Sequence, residues 1–257
     1  MDLHTVEQWV DARTVDAWRP GDAWLAGGTA LFSAPGVHLR RLRDLGGTGW
    51  EPLVEDPDGR LEIAATCTVA RLAAHPVALF GQCCRAFLAS FTIWNMATVG
   101  GNLCAALPAG PMIALTTALD GGCLLLAPDG AARTLPVTAF VVGDGRTALR
   151  EGELLRSVTV GPLPARTAFR QASLSTLGRS AALLIGTRDA DGAMTLTITA
   201  ATPRPHRLRF AVPPTAGELR EAVEDEVEHW FDDLHGHPAW RRHLTFRFAE
   251  QIREELS

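Results

Sequence analysis

The stretch from Ala86 to Leu119 carries no charged side chain, and no other feature of the chain limits the fold as much. A run of that length without charge belongs either in a membrane or in a protein interior. Its contents decide between the two. Asn95, Asn102, the Gly100-Gly101 pair, Pro108 and Pro111 would break a spanning helix and leave polar groups in lipid. The segment therefore reads as a buried loop-and-helix region that avoids fixed charge while offering backbone amides. Those surroundings suit a large, partly aromatic, anionic cofactor.

The rest of the chain is that of a water-soluble globular protein. Its 257 residues suffice for one or two domains, and the balance of 47% hydrophobic against 21% charged residues is close to the average for such proteins. All 24 basic residues are arginine, and there is no tyrosine. A Schiff-base lysine, a pyridoxal-phosphate lysine, a phosphate-binding Walker lysine and a Tyr/Lys reductase pair are thus excluded. A formal net charge of −5 without a block of one sign argues against nucleic-acid binding. The five cysteines have no C-x-x-C spacing and read as reduced, buried thiols of a cytoplasmic protein. An iron–sulfur or zinc site built by this chain alone is not expected. The N-terminal segment has early acids and no apolar run, so no secretory signal is expected. His229, His235, His237 and His243 lack the spacing of a helical metal-ligand pair and are assigned to exposed polar segments.

Apolar periodicity predicts a helix over residues 5–18, a strand at 23–26 and a strand at 61–65. A short helix ending at His75 follows, then an amphipathic helix over 77–91. Further on come a helix at 112–119, a strand at 123–127 closing on the Asp129-Gly130 turn, and strands at 182–187 and 194–199 joined by a turn at 189–192. Thr215 with Glu218 has the form of a capping box, and Pro238 opens a terminal helix. The Pro- and Gly-containing stretch 161–164 marks an expected boundary between an α/β front part and a smaller α+β rear part.

Two glycine-rich segments carry the chemistry: LAGGTALF (25–32), directly after a strand, and ATVGGNL (97–103), inside the uncharged stretch. Paired glycines let backbone approach a diphosphate, and a neighbouring Thr or Asn adds a side-chain hydrogen bond. Neither segment fits G-x-G-x-x-G or the P-loop.

Taken in order, LAGGTALF, LEIAATCTVARLA, IWNMATVGGNLCAALPAGPMIALTTALDG and LREGELLRSVTV resemble the FAD-binding medium subunit of molybdenum hydroxylases, the xanthine dehydrogenase and carbon monoxide dehydrogenase group. FRQAS (169–173), ATPRPHRL (201–208) and the C-terminal segment resemble that family's small C-terminal domain. The resemblance implies a vanillyl-alcohol-oxidase-type (PCMH-type) FAD-binding fold, α/β with an added α+β domain. It implies an FAD-binding domain over 1–162, with subdomains of about 1–50 and 51–162, and a C-terminal domain over 163–257.

On the same basis Leu25, Ala26, Gly27, Gly28, Thr29, Ala30 and Leu31 would wrap the FAD pyrophosphate. Thr98, Val99, Gly100, Gly101 and Asn102 would supply amides and side-chain donors. Leu155 would make an apolar contact to the flavin, and Arg170 would place a cation beside it. Ala30 and Pro111 depart from the family pattern, each removing a polar contact. The family works with a large molybdenum-cofactor subunit and a small [2Fe-2S] subunit and passes electrons to NAD or another acceptor. The alternative reading is an assembly subunit with a degenerate flavin site.

Overall fold

A computed structural model describes residues 4–13, 16–33 and 36–257. It is a mixed α/β structure with an α+β rear part, the class that the sequence predicts. The chain opens with a three-stranded parallel sheet of β1 (Gln8–Asp11), β2 (Asp22–Leu25) and β3 (Arg41–Asp44), in the order β1-β3-β2. The helix expected over residues 5–18 is replaced within the described residues by β1. Val6, Trp9 and Val10 are too few to fix a helical period, and β-branched and aromatic residues suit a strand paired along β3. Asp22 is sealed under this sheet by Arg41 (2.6 Å) and Arg43 (2.9 Å), both buried.

The next layer is an antiparallel sheet. It contains β4 (Leu53–Glu55), β5 (Leu61–Ala64), β6 (Gly122–Leu126) and β7 (Ala132–Pro136). After the short hairpin of β8 (Val141–Gly143) and β9 (Arg146–Thr147), β10 (Leu154–Val160) enters its middle, giving the order β4-β5-β10-β6-β7. Between β5 and β6 run α1 (Val69–Ala73), α2 (Ala78–Ala86), α3 (Phe91–Met96), α4 (Val99–Ala105) and α5 (Pro111–Ala118). The single helix expected over 77–91 is thus shorter and is followed by a separate one. The backbone leaves helical geometry at Phe87, and the Ser90 hydroxyl, accepting from Ile93 N–H, opens α3.

Beyond α6 (Val137–Phe140), the rear part is an antiparallel meander of β11 (Arg166–Ser173), β12 (Ser180–Arg188), β13 (Met194–Thr199) and β14 (His206–Phe210). Then come α7 (Ala216–Glu226), opened by the predicted capping box, and α8 (Pro238–Leu256). The two faces of β12 serve two cores. Leu183 and Ile185 pack into the front core with α5, while Ala182 and Leu184 join Phe248 and Ile252 of α8 in the rear core. Arg241, fully buried, ties α8 to the sheet by donating to the carbonyls of Ala181 and Ala200, each at 2.6 Å. No helix among the described residues is long and apolar enough to cross a membrane.

Candidate cofactor site

At the end of β2 the chain is held by Leu45 N–H donating to Leu25 O (2.8 Å), then turns sharply. Gly28 takes φ +70°, a conformation that favours glycine. The turn closes through Phe32 N–H to Gly28 O and Ser33 N–H to Ala30 O. The N–H groups of Gly28, Thr29 and Ala30 have no hydrogen-bond partner among the described residues. Three successive donors without a partner form a cradle for an anion.

Gly27 is glycine for a different reason. A Cβ there would come within 1.6 Å of the Met96 carbonyl oxygen, so the first glycine segment lies directly against the backbone entering the second.

The second segment folds as the start of α4. Thr98 caps it, its hydroxyl accepting from Gly101 N–H at 3.0 Å. Val99 N–H donates to Cys67 O, Gly100 N–H to Ala65 O and Asn102 N–H to Thr98 O. Four of these five amides are thus already used, Val99 and Gly100 on the segment that follows β5 and Gly101 and Asn102 within the cap of α4, so the expectation that Thr98 to Asn102 present free amides is corrected at those four. Gly100 is glycine because a Cβ would lie 2.4 Å from the Ala65 Cβ. What the segment offers a ligand is side-chain chemistry, namely the Thr98 hydroxyl and the Asn102 amide. Asn102 Oδ1 accepts from Met112 N–H (3.1 Å), leaving its nitrogen as a donor.

The two segments share one cavity of about 740 Å³, within the range of about 300–1,000 Å³ usual for small-molecule sites. Leu25 through Leu31 line it without a gap, together with Thr98, Gly100, Gly101, Asn102 and Leu155. Val99 and Arg170 do not. Val99 is wholly buried in the front core. Arg170 stands on the face of β11 turned to α8, donating to Gln251 Oε1 at 3.2 Å and pairing with Glu255 at 2.5 Å. Strand alternation gives the reason, because Phe169 beside it packs against the front core.

Sequence reasoning missed Trp24, Ile93, Leu107 and Glu153, which also line the cavity. Glu153 lies in the same GELL segment as Leu155, which was the one available signal. Arg133 grips its carboxylate at 2.8 and 2.6 Å and Arg150 N–H adds a bond at 2.7 Å, holding its pKa down to about 2. Glu153 is therefore a fixed, paired anion and not a proton carrier. Trp94, beside the second segment, donates its indole N–H to Phe87 O (3.0 Å) and braces the α2–α3 connection.

Pro111 occupies the first turn of α5, outside the cavity wall, where a proline needs no amide partner. The contact expected to be lost at Pro111 thus concerns a position that is not part of the wall. Ala30 is part of the wall and contributes its N–H. Free amides at one loop, close-packed glycines and the apolar walls of Leu31, Ile93 and Leu155 fit a flavin dinucleotide. Among the described residues no arginine or histidine lines the cavity, so the diphosphate would be met by backbone dipoles.

The family described as FAD binding domain in molybdopterin dehydrogenase matches residues 11–164. Among solved structures, a chain of quinoline 2-oxidoreductase from Pseudomonas putida 86 superimposes with a TM-score of 0.83 at 20% identity, covering 100% of this chain and 98% of that one. A chain of carbon monoxide dehydrogenase from Hydrogenophaga pseudoflava, in a form lacking the Mo-pyranopterin moiety, gives 0.78 at 18% identity, with 97% and 96% covered. A chain of the carbon monoxide dehydrogenase from Oligotropha carboxidovorans gives 0.77 at 18% identity, with 99% of each covered. A comparison with curated protein sequences finds no match. The family match spans more than half of the chain and both glycine segments, so this chain belongs to the FAD-binding family of the molybdopterin dehydrogenases and takes FAD as its cofactor.

Proposed function

We propose that this chain is the electron-transferring flavoprotein subunit of a xanthine dehydrogenase-like molybdenum hydroxylase in the cytoplasm. A small [2Fe-2S] subunit hands it electrons that a large molybdenum-cofactor subunit has taken from substrate, and the chain passes them to NAD or another acceptor. The observation that carries this reading is the convergence of both glycine segments on one cavity. When bound, FAD supplies the redox chemistry.

The chain's own residues bind and orient the cofactor. The Gly28–Ala30 amides meet the diphosphate, Thr98 and Asn102 add side-chain donors, and Leu155 presents an apolar wall, buried to 3% exposure. The register of β10 against β6 shifts between Leu155 and Ser157, an irregularity next to that wall. Cys67, Cys83, Cys84 and Cys123 are buried and Cys104 half-buried, all as free thiols, which supports a reducing compartment. Burial pushes the Cys104 thiol up to about 12 and the Cys67 thiol equally far, so both are neutral.

The use of the first-turn amides of α4 within the protein favours a second reading, an assembly subunit with an empty site. The purified chain separates the two. A yellow protein that releases FAD on heating supports the flavoprotein, and a colourless one that takes up no added FAD overturns it. Isolation from the native host with a larger and a smaller companion, molybdenum and iron tests the assembly, and a solitary chain counts against it.

A further inference from the structure

Residues 5–49 form a lobe around an apolar cluster of its own, Leu25, Leu39 and Leu42 backed by Phe32, and the front core takes no residue from it. Its strands pair only with one another. Its ion pairs among the described residues are internal as well, joining Arg13, Arg19, Arg41 and Arg43 to Asp11, Asp16 and Asp22. Among the described residues one hydrogen bond crosses from the lobe to the rest of the chain, from Trp24 Nε1 to Gly152 O at 3.1 Å. Two close approaches flank it. Gly27 lies against the Met96 carbonyl, and a Cβ on Gly152 would stand 3.1 Å from Cγ of Trp18.

Trp24 is held firmly on the lobe side. The buried Arg43, paired with Asp16 at 2.6 Å and Asp22 at 2.9 Å, places its guanidinium 5.6 Å from the centre of the Trp24 ring. The Trp18 ring lies 5.4 Å away on the same cluster. The indole N–H is thus fixed before it meets the Gly152 carbonyl. Two parts that share so small an interface move relative to each other unless something else fixes them. The flavin cavity lies between them, with Trp24 to Leu31 and Leu45 on the lobe and Ala65, Ile93 and Leu155 opposite. A dinucleotide with its diphosphate on the Gly28–Ala30 amides and its flavin against Leu155 touches both sides.

We infer that the lobe of residues 5–49 closes on the rest of the chain through a latch, Trp24 on Gly152 O, and that FAD spanning the cavity holds it closed. Trp24 is then a positioning residue, setting where the amide cradle stands relative to the flavin wall. The inference rests on the reading that FAD binds with its diphosphate at that cradle. Apparent affinity for the cofactor falls with the fraction of the chain that is closed.

The test is pulsed electron paramagnetic resonance on the full chain, spin-labelled at Glu7→Cys on the lobe and Glu221→Cys on α7, both exposed positions. Four native thiols are buried and the half-buried Cys104 is neutral, so they stay unlabelled. Without FAD the label-to-label distances should spread broadly, and saturating FAD should narrow them to one. Trp24→Phe keeps a ring and loses the N–H. It should widen the FAD-free spread, weaken FAD binding about two- to tenfold, as loss of one ordinary hydrogen bond predicts, and regain the wild-type distance at saturating FAD. Trp9→Phe removes an indole N–H that bonds Asp44 within the lobe, and it should leave spread and affinity unchanged. The same narrow distance with and without FAD, or equal effects of the two substitutions, would overturn the inference. Should the chain take up no FAD, the flavoprotein reading fails by itself, and the FAD-free distances still decide the latch, since equal spreads in wild type and Trp24→Phe refute it.

Discussion

Gly27 and Gly100 are glycines because of what lies next to them. A Cβ on Gly27 would meet the Met96 carbonyl at 1.6 Å, and no flexible side chain is there to yield. Gly27→Ala must therefore push the two glycine segments apart, at a cost of about 1–3 kcal/mol or more for forced overpacking. The variant should carry less flavin per chain and melt earlier, read by absorbance and thermal unfolding; unchanged values of both would refute the close approach. Arg170 makes the opposite prediction. Its partners Gln251 and Glu255 lie on α8 and the pair is partly exposed, so Arg170→Ala should cost no more than about 1 kcal/mol. The flavin spectrum and reduction potential should stay as in the wild type, and a shift in potential would return Arg170 to the flavin. The glycine segments were legible in the sequence because a pair of glycines beside Thr or Asn is locally unusual. The side on which Arg170 emerges was not, since a one-residue change of register reverses every side chain of a strand.

Asn102 joins two elements that the sequence shows only as neighbours. Its Oδ1 accepts from Met112 N–H in the first turn of α5, a helix whose eight residues are all buried. Removing that acceptor leaves an interior amide unpaired, a loss of about 1–3 kcal/mol. Asn102→Ala should thus lower both thermal stability and FAD affinity, whereas Asn102→Asp keeps the acceptor and should recover the stability alone. Equal melting of Asn102→Ala and wild type would argue against the cap. A second link between elements is the grip of Arg133, on β7, upon Glu153, just before β10. The arginine's hydrogen bonds hold the Glu153 carboxyl down to about 2 from an ordinary 4.5. A depressed folded-state pKa stabilises above the unfolded value and loses that effect as pH falls from about 4.5 towards 2. Glu153→Gln should flatten the acid limb of stability across that window, measured by urea unfolding at a series of pH values. The start of α7 was readable from its capping box at Thr215 and Glu218, whereas the single-residue caps Ser90 and Thr98 did not reveal α3 and α4. The break at Phe87 carries no glycine or proline and was hidden by an apolar rhythm that continues through it.

At the scale of the molecule, the boundary expected at 161–164 falls in the connection from β10 to β11, yet packing crosses it freely. Leu183, Ile185 and Ala200 belong to the front core, and α5 packs on β12 and β13. Ala200 N–H donates to Pro108 O (2.8 Å), a backbone bond from the rear part into the uncharged segment. That segment avoids charge for two reasons, since its early part lines the flavin cavity while α5 lies buried between the front helices and the rear sheet. Separating the two parts would strip α5 and one whole face of β12 of their cover, so neither part has a complete surface by itself. The full chain should then unfold as one cooperative unit despite its two cores. Five of the seven tryptophans lie before residue 100 and two, Trp230 and Trp240, lie in the rear. Fluorescence therefore weights the front, while circular dichroism at the peptide bands reads all the strands and helices. Denaturant curves from the two probes should coincide, and calorimetry should give a single peak whose van't Hoff and calorimetric enthalpies agree. Two separated transitions, with the fluorescence change confined to one of them, would show instead that the rear part folds and melts independently and that α5 tolerates exposure.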